Sequence, residues 1–424
     1  MIGIVGGGIS GLFLLHLLRE QGVDAVLFEA SENPGGVMRS LTLDGPDGPV
    51  TVDLGPQRVR LTRGLGELVS ELDLASSLVH AKTGVAFTMY RKGRLYPAPL
   101  SLTDALATPL ISWPGKLRAL ADLVTAPPSP TESVADALRR KLGPEIYERL
   151  AGPLLGGLYA SSPEEMEARH TLLPALGRTG ANRSLLLALL RTRKWDRLPV
   201  VSFEGGMGML PEALVARHRS SIRLGTPVAT LVKSGGKGFA LEVPGDRIPV
   251  RAVLLTMPAP EAARILHTVD PTLAELLGGL RYNPLGVVPL VVPGTTKPPS
   301  VGSGFKMTLD EPAATRGVTA HTTLFGRPGL FTAFLGGMGG EEVLDRPDEA
   351  IMKTAEDDFR AVTGADAEAL MVHRTRMPAW DRSWRALDLV ELPHGLHLCT
   401  AFTSRPGIPG RLEEARRVAD RLTG

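Results

Sequence analysis

A glycine-rich run near the start of the sequence has the residue types and spacing of a phosphate-binding turn. The run Gly6-Gly7-Gly8-Ile9-Ser10-Gly11 follows an apolar segment at 2–5 and precedes a segment at 12–21 whose apolar residues have helical spacing. In such a turn the first glycine permits a tight bend, the second lets the backbone approach a pyrophosphate, and the third lets the helix pack against the strands. The N–H groups at the start of the helix then face the phosphates.

An acidic residue stands where this turn requires one. Glu29 directly follows a second segment, at 24–28, which is predicted to be a buried strand. It also follows Gly11 at the expected distance of roughly 20 residues. A carboxylate there accepts hydrogen bonds from the hydroxyls of an adenosine ribose. A glycine-rich turn in an ordinary α/β domain is the alternative. The order of strand, helix, second strand and acid favours dinucleotide binding.

A second glycine pair and an arginine narrow the choice of dinucleotide. Glu29-Ala30 leads into Gly35-Gly36 and then Arg39. The glycine pair lets a loop fold back over the pyrophosphate, and an arginine can neutralise the phosphate charge. A nicotinamide-binding domain needs nothing at these positions, whereas a long bound flavin does. We therefore predict that the cofactor is FAD; a surface arginine is the alternative interpretation of Arg39.

Residues 29–39 resemble the flavin fingerprint of the superfamily of amine oxidases, phytoene desaturases and protoporphyrinogen oxidases. Residues 52–57 resemble the D/E-x-G-P turn of its porphyrinogen oxidase branch, 141–160 resemble that branch's helical signature, and 202–214 are similar to a GGM segment common to the superfamily. The resemblance implies an α/β fold with a Rossmann-like FAD-binding domain of the amine oxidase/glutathione reductase type. It also implies an α+β substrate domain and a helical insert.

The resemblance implies further contacts with the flavin. The residues concerned are Gly55 and Pro56 in the D/E-x-G-P turn, Val228 at the adenine end, Trp380, and Pro406, Gly407 and Ile408 in the C-terminal motif. A plain strand residue is the alternative interpretation of Val228. Thr400 and Arg405 replace glycines of the family, and side chains there are expected to crowd the cofactor unless the loop shifts.

The family pattern predicts a flavin domain that is interrupted twice. Its parts are 1–75, 196–268 and 371–424; the substrate domain comprises 76–100 and 269–370, and the helical insert 101–195. Strand signals at 228–232, 239–243 and 250–255 predict a meander that returns the chain to the flavin domain.

In the family the helical insert attaches the enzyme to the membrane surface. The sequence offers an apolar segment at 185–190 that is flanked by basic residues, and a helix of this kind can lie in a bilayer interface. A helix in the domain core is the alternative. The flanking residues are Arg183, Arg191, Arg193 and Lys194.

Composition excludes several kinds of site. The net charge of +2 gives no electrostatic argument for nucleic acid, and Cys399, the only cysteine, excludes internal disulfides and cysteine-cluster metal sites. The nine histidines lack metal-ligand spacing, so we expect no metal. We identify no catalytic acid or base, because the flavin carries the redox chemistry. No secretory signal or apolar stretch of roughly 20 residues is present, which predicts a cytoplasmic protein, at most peripheral on the membrane.

The porphyrinogen oxidase branch implies a substrate. Its enzymes oxidise protoporphyrinogen IX or coproporphyrinogen III to the porphyrin in haem biosynthesis, and molecular oxygen takes the electrons and forms hydrogen peroxide. The substrate is an apolar ring with carboxylate arms, so we expect apolar side chains around the ring and arginines at the arms. Arg58 and Arg60 are the candidates, with Arg63 after them; solvated arginines are the alternative.

Two other functions stay open at this stage. One is a different FAD-dependent oxidase or desaturase that acts on an amine or an apolar metabolite. Amine oxidases often use a lysine–water pair and an aromatic cage near the flavin; Trp380 and Trp384 could supply the aromatic groups, and Lys306 is the candidate lysine, which the sequence does not place. The other is a porphyrin-binding relative that has lost oxidase activity, which the altered C-terminal loop motivates. A homodimer is also expected.

Overall fold

Strands and helices alternate along most of the chain. The computed structural model describes residues 1–99, 101–181, 183–191, 198–235, 238–294 and 296–423. The strands are β1 Ile2–Val5, β2 Ala25–Phe28, β3 Ser40–Gly45, β4 Gly48–Asp53, β5 Val59–Arg60, β6 Leu78–His80, β7 Thr88–Arg91, β8 Arg94–Pro97, β9 Val200–Phe203, β10 Ile222–Arg223, β11 Thr230–Lys233, β12 Phe239–Val243, β13 Asp246–Val250, β14 Ala252–Leu255, β15 Tyr282–Val291, β16 Gly304–Met307, β17 Thr315–Ala320, β18 Leu330–Gly336, β19 Glu368–Ala369, β20 His373–Pro378 and β21 Leu396–Leu398. The helices are α1 Ile9–Glu20, α2 Arg63–Glu71, α3 Leu102–Ala107, α4 Trp113–Ala119, α5 Val134–Leu142, α6 Pro144–Ile146, α7 Gly152–Tyr159, α8 Leu172–Thr179, α9 Leu185–Arg191, α10 Met209–Arg217, α11 Ala259–Leu266, α12 Pro271–Gly278, α13 His321–Phe325, α14 Asp348–Thr363 and α15 Ile408–Thr423.

A parallel sheet of five strands forms the flavin domain. Its strand order is β10-β2-β1-β14-β21, and every neighbouring pair is parallel. Strand β1 is buried along its whole length because apolar cores lie on both faces of the sheet. Ile2 and Ile4 face the core shared with α1 and α15, whereas Val5 faces the core shared with α11 and α12. The sheet therefore holds the β1–α1 turn from both sides.

The predicted meander is present, but one of its strands is really two. The antiparallel sheet β11–β12–β13 contains the predicted strand 239–243. The predicted strand 250–255 is divided at Arg251, because β13 ends in this sheet and β14 begins in the parallel one. Val228 precedes β11, which begins at Thr230. A run that is apolar on both sides of Arg251 thus contains a change of sheet.

A second sheet has eight strands, of which seven lie in the residues predicted for the substrate domain. The eighth, β20, lies in residues 371–424, which the sequence assigned to the flavin domain, because its pairing with β15 extends the substrate sheet beyond residue 370. Its order is β19-β15-β18-β17-β16-β7-β8, and β20 pairs with β15. Helix α14 covers one face, where Phe359 packs edge-on against Phe331 with ring centroids 5.0 Å apart. The opposite face of the sheet is therefore free to face the rest of the protein. The domain boundaries themselves stay predictions.

The insert consists of short helices, α3 to α9. Helix α8 is absent from our sequence analysis, since Pro174 in its first turn interrupts the apolar pattern. The apolar segment at 185–190 is helical, as α9, and the flanking residues Arg193 and Lys194 lie outside the described residues. No helix of the described residues combines the length and the apolar character needed to cross a membrane.

A buried ion pair joins the helices of the insert. Lys141 Nζ of α5 lies 2.9 Å from Asp122 Oδ1, and both side chains are 0% exposed. Asp122 also accepts hydrogen bonds from the Ser184 hydroxyl and from Leu186 N of α9. Burial raises the pKa of Asp122, but these hydrogen bonds outweigh it and leave the pKa below its ordinary value. The carboxylate thus ties two helices to the 120–123 turn.

We expect the Asp122→Ala variant to be strongly destabilised. Removing one partner of a buried pair leaves the Lys141 charge uncompensated and costs about 3–5 kcal/mol. Chemical denaturation of the purified protein measures this loss. Asp136→Ala on the exposed side of α5 is the control, with a change below about 1 kcal/mol. Equal effects of the two substitutions would contradict the assigned role of Asp122.

Candidate FAD and substrate site

The β1–α1 turn requires glycine at two positions and leaves a third open. Gly6 has a φ of +112°, and a Cβ on Gly11 would lie 2.1 Å from the Gly6 carbonyl oxygen. Side chains are therefore excluded at both residues. A Cβ on Gly8 would meet nothing within 4 Å, and Gly8 caps α1 without a side-chain hydrogen bond. The uncapped N–H groups of α1 and the open space beside Gly8 fit a pyrophosphate.

Glu29 lies at the end of β2, directly beside this turn. Its Oε2 accepts a hydrogen bond from Gly7 N at 2.5 Å, and its Oε1 accepts one from Ser31 N at 2.8 Å. These two bonds fix the orientation of the carboxylate, and Ala30 next to it is exposed. The arrangement fits the ribose-binding role that the sequence predicts.

The second glycine pair folds back onto the turn. Gly35 N donates to Gly7 O at 2.7 Å, and a Cβ on Gly36 would lie 3.2 Å from the Gly8 Cα. Arg39 follows in the same loop, half-buried, and its charge adds to burial in lowering the pKa of His373. Among the described residues no carboxylate pairs with the Arg39 guanidinium, which leaves it available to a phosphate.

The D/E-x-G-P turn contacts the same loop. A Cβ on Gly55 would lie 2.0 Å from the Val37 carbonyl oxygen, so the turn packs directly on the segment after Gly36. Pro56 is half-buried there, and the Val37 side chain stays 56% exposed. The structure thus brings together Gly8, Gly36 and Gly55 from three separate segments.

Asp53 is a positioning residue that our sequence analysis does not single out. Its Oδ1 accepts hydrogen bonds from the Ser40 hydroxyl and from Met207 N, both at 2.7 Å, and Arg327 lies 3.4 Å from Oδ2. Burial raises the pKa of Asp53 above its ordinary value despite these bonds. The carboxyl links β4, the GGM segment and the loop after α13. The acid of the D/E-x-G-P pattern is the signal that could have identified it.

The C-terminal motif is held beside the turn by the parallel sheet. Cys399 N donates to Leu255 O at 2.9 Å, which places the end of β21 next to β14. Gly407 has a φ of +86° and precedes α15, which begins at Ile408. The Arg411 guanidinium donates to the Ala401 carbonyl at 2.9 Å, and burial lowers its pKa to about 10.

The two residues that replace family glycines have different surroundings. Thr400 is fully buried, and its hydroxyl lies 3.2 Å from that of Thr403 within the loop. Arg405 is exposed and lies 3.6 Å from Glu413 of α15, while Pro406 after it is also exposed. Arg405 therefore extends along the surface. The expected crowding concerns Thr400 alone and stays a prediction.

Val228 lies in a segment beside Glu29, whereas Trp380 lies in a cluster of aromatic side chains. Val228 is buried in a segment that begins with Thr226, whose N–H donates to Glu29 O at 2.8 Å, so this segment runs beside the ribose acid. Trp380 has a φ of +57° and stacks on Trp384 with ring centroids 4.5 Å apart; Tyr159 contacts its edge. A flavin contact of Trp380 stays a prediction.

The three arginines after Pro56 diverge. Arg63 opens α2 and forms a surface pair with Glu67 at 2.9 Å, as the alternative interpretation holds. Arg60 lies in β5, paired with Val200 of β9. The Arg58 side chain is exposed, yet desolvation and the Arg60 charge lower its pKa.

Lys306 of β16 approaches the same region, and the sequence gives its placement no signal. A Cβ on Gly157 of α7 would lie 1.8 Å from its Nζ. Burial, followed by the charge of Arg58, lowers the pKa of Lys306 to about 8. The lysine and Arg58 therefore lie within electrostatic range of each other.

Two distant histidines meet on the other side of the flavin domain. His16 Nδ1 lies 3.0 Å from His218 Nε2, and His16 Nε2 lies 3.0 Å from Glu71 Oε2. Glu20 brings a third ligand atom, so that the three lie within 4.8 Å of one another, a proximity that sequence spacing does not reveal. The mutual hydrogen bonds of the histidines and Glu71 explain the cluster without a metal.

We expect Glu29→Ala to weaken FAD binding. Loss of charge-assisted hydrogen bonds to the ribose costs about 1.5–3 kcal/mol, which raises the dissociation constant by roughly one to two orders of magnitude. Flavin absorbance after dialysis, together with titration of the stripped protein, measures the change. Glu32→Ala, on the exposed loop nearby, is the control. Unchanged FAD retention in Glu29→Ala would contradict the assignment.

Comparison with known proteins identifies sequence relatives of the chain. The chain is 28% identical to a chloroplastic protoporphyrinogen oxidase of Nicotiana tabacum, over 84% of this chain and 71% of the relative. It is 30% identical to the Oryza sativa protein of the same name, over 68% and 58% of the two chains. It is 26% identical to coproporphyrinogen III oxidase of Bacillus subtilis, over 99% and 97%.

Solved structures share the fold. A protein from Exiguobacterium sp. 255-15, described as a candidate protoporphyrinogen oxidase, superposes with a TM-score of 0.81 at 22% identity, over 99% of this chain and 98% of the other. Putrescine oxidase bound to putrescine gives a TM-score of 0.75 at 16% identity, over 100% and 98%. The family of flavin containing amine oxidoreductases matches residues 9–423. The chain therefore belongs to the flavin-containing amine oxidoreductase family, and it is an oxidoreductase whose cofactor is FAD.

Proposed function

We propose that this protein is an oxygen-dependent porphyrinogen oxidase of haem biosynthesis. Its substrate is protoporphyrinogen IX or coproporphyrinogen III, which loses six electrons and six protons to become the porphyrin, while three molecules of oxygen become three of hydrogen peroxide. The observation that carries the proposal is the likeness to porphyrinogen oxidases over most of the chain. Two cations near the predicted FAD site, Arg58 and Lys306, also support it, because they can attract the carboxylate arms of a porphyrinogen.

The residues of the chain supply binding and orientation. FAD, when bound, supplies the two-electron acceptor. The α1 N-terminus and Arg39 hold its phosphates, and Glu29 holds its ribose. The exposed Val37 side chain beside Gly55 offers an apolar contact for a flat ring. Holding the reacting carbon in position is the contribution that the protein makes to the rate.

The charge of the site argues against an amine substrate. An alkylammonium ion would meet Arg58 and Lys306, whose charges repel it, with no carboxylate of the described residues paired to either. The carboxylate arms of a porphyrinogen would be attracted by the same two groups. The similarity to putrescine oxidase concerns the fold and not the substrate.

Turnover of a porphyrinogen tests the proposal. The purified yellow protein, mixed in air with anaerobically prepared coproporphyrinogen III or protoporphyrinogen IX, should produce porphyrin fluorescence well above the autoxidation blank. Oxygen consumption and peroxide formation should each equal three molecules per porphyrin. The Glu29→Ala variant, dialysed free of FAD, is the matched control, and added FAD should restore part of its activity.

Other results would reject the proposal in different ways. A yellow protein that makes no porphyrin above the blank would favour another FAD-dependent oxidase or desaturase. A colourless protein that binds porphyrin and retains no FAD would favour a relative without oxidase activity.

We also propose that the insert attaches the protein peripherally to a membrane. Trp113, Leu117, Leu120 and Val124 are all at least 55% exposed along α4 and the turn after it. Lys116 lies 4.7 Å from the Trp113 ring centroid, so a cation stands beside the apolar surface. The adjoining α9 packs on the same turn. Apolar side chains flanked by basic ones suit the interface of an anionic bilayer.

Vesicle binding tests the membrane proposal. We expect the protein to float with vesicles of mixed phosphatidylcholine and phosphatidylglycerol, and the Trp113 emission to shift to shorter wavelength. Leu117→Asp should abolish flotation because it places a charge in the apolar surface. Leu389→Asp, at an exposed leucine outside the insert, is the control. Flotation of Leu117→Asp equal to that of the unchanged protein would contradict the proposal.

A further inference from the structure

Lys306 is held in a slot between two glycines. Its strand neighbours Phe305 and Met307 are buried in the core beneath α14, so the alternation of side chains directs Lys306 to the opposite face of the sheet. A Cβ on Gly157 would lie 1.8 Å from Nζ, and one on Gly317 would lie 3.1 Å from Cγ. Glycine at both positions therefore makes room for the extended lysine.

Arg58 brings a second cation to the same space from the flavin side. It stands three residues after Gly55, whose backbone packs on Val37, and the Val37 loop is bonded through Gly35 to the phosphate-binding turn. The following strand β5 pairs with β9, and Arg327 donates to the Phe203 carbonyl of β9 at 2.8 Å. Because α13 and Arg327 follow β17, which pairs with β16, these contacts connect the element that carries Arg58 to the strand that carries Lys306. The two side chains are near enough for the charge of Arg58 to act on Lys306.

The two cations have no acidic partner in the part of the chain that the structure describes. No hydrogen bond or ion pair to a carboxylate is found for Arg58 or Lys306 there, and the charge that acts on Lys306 is that of Arg58. The nearby acids are engaged elsewhere: Asp53 is bound to Ser40, Met207 N and Arg327. Like charges in partly desolvated surroundings repel each other, and a bound anion offsets that cost.

We infer that Lys306 and Arg58 together bind a carboxylate arm of the substrate. The inference rests on the proposed function and names the residues that recognise the substrate's acid groups. Arg58 offers a planar fork for two carboxylate oxygens, and Lys306 offers a point charge from the opposite side. A ring lying on Val37 would present an arm to them, and both candidate porphyrinogens carry such propionate arms.

Porphyrin binding, rather than turnover, tests the inference. Fluorescence titration of the FAD-loaded protein with coproporphyrin III gives the dissociation constant. Loss of a charged hydrogen bond weakens binding by about 1.5–3 kcal/mol, so Lys306→Met should raise the constant at least roughly tenfold. The tetramethyl ester of coproporphyrin, which lacks the charge, should bind weakly to both proteins and show no such difference. Lys353→Met, at an exposed lysine of α14, is the control.

Each outcome decides between the inference and its alternatives. Equal coproporphyrin affinity of Lys306→Met and the unchanged protein would overturn the inference while leaving the proposed function intact. Ester binding as tight as that of the free acid would overturn it too, because the carboxylate charge would then contribute nothing to binding. Failure of the unchanged protein to bind either porphyrin would overturn both. If Lys306→Met loses its FAD, Arg58→Leu makes the same prediction.

Discussion

The close approach of backbone at the β1–α1 turn is the constraint on which the rest of the site depends. Gly11 lies so near the Gly6 carbonyl that any side chain would overlap it, and Thr256 of the β14 end donates from its hydroxyl to that carbonyl at 2.8 Å. The Gly35 loop then attaches to Gly7, and Gly55 packs on that loop. The β1–α1 turn therefore positions the Gly35 loop, and that loop in turn positions the segment that contains Gly55.

The acids of the site are bound to neighbouring protein groups, whereas its cations lack acidic partners. Glu29 and Asp53 each accept hydrogen bonds from backbone N–H groups, which fixes their loops. Arg39, Arg58 and Lys306 have no carboxylate partner among the described residues. Repulsion among unpaired cations costs stability, and bound phosphates and carboxylates offset it. The ligands therefore supply the negative charges that balance the cations of the site.

The parts predictable from the sequence are those whose contacts are local. The turn, α1 and Glu29 lie within thirty residues of one another, so their residue types and spacing are enough to predict their geometry. Lys306 could not be placed, because its slot needs Gly157 and Gly317, which only the tertiary fold brings together. The prediction of a single strand over 250–255 was wrong, because a segment divided between two sheets has the same apolar pattern as one buried strand. Asp53 was visible only as part of a family pattern.

The strand order of the flavin domain has a consequence for how the protein is made. Strand β1 is synthesised well before its neighbour β14, in which Ala252 pairs with Ile2, and α1 packs on α15, which follows much later in the chain. Long-range pairings of this kind form late and slowly. The nascent N-terminal segment must therefore wait with its apolar faces uncovered, a state in which chaperones bind and aggregation begins. FAD capture would then follow the synthesis of α15, whose packing on α1 completes the cofactor site.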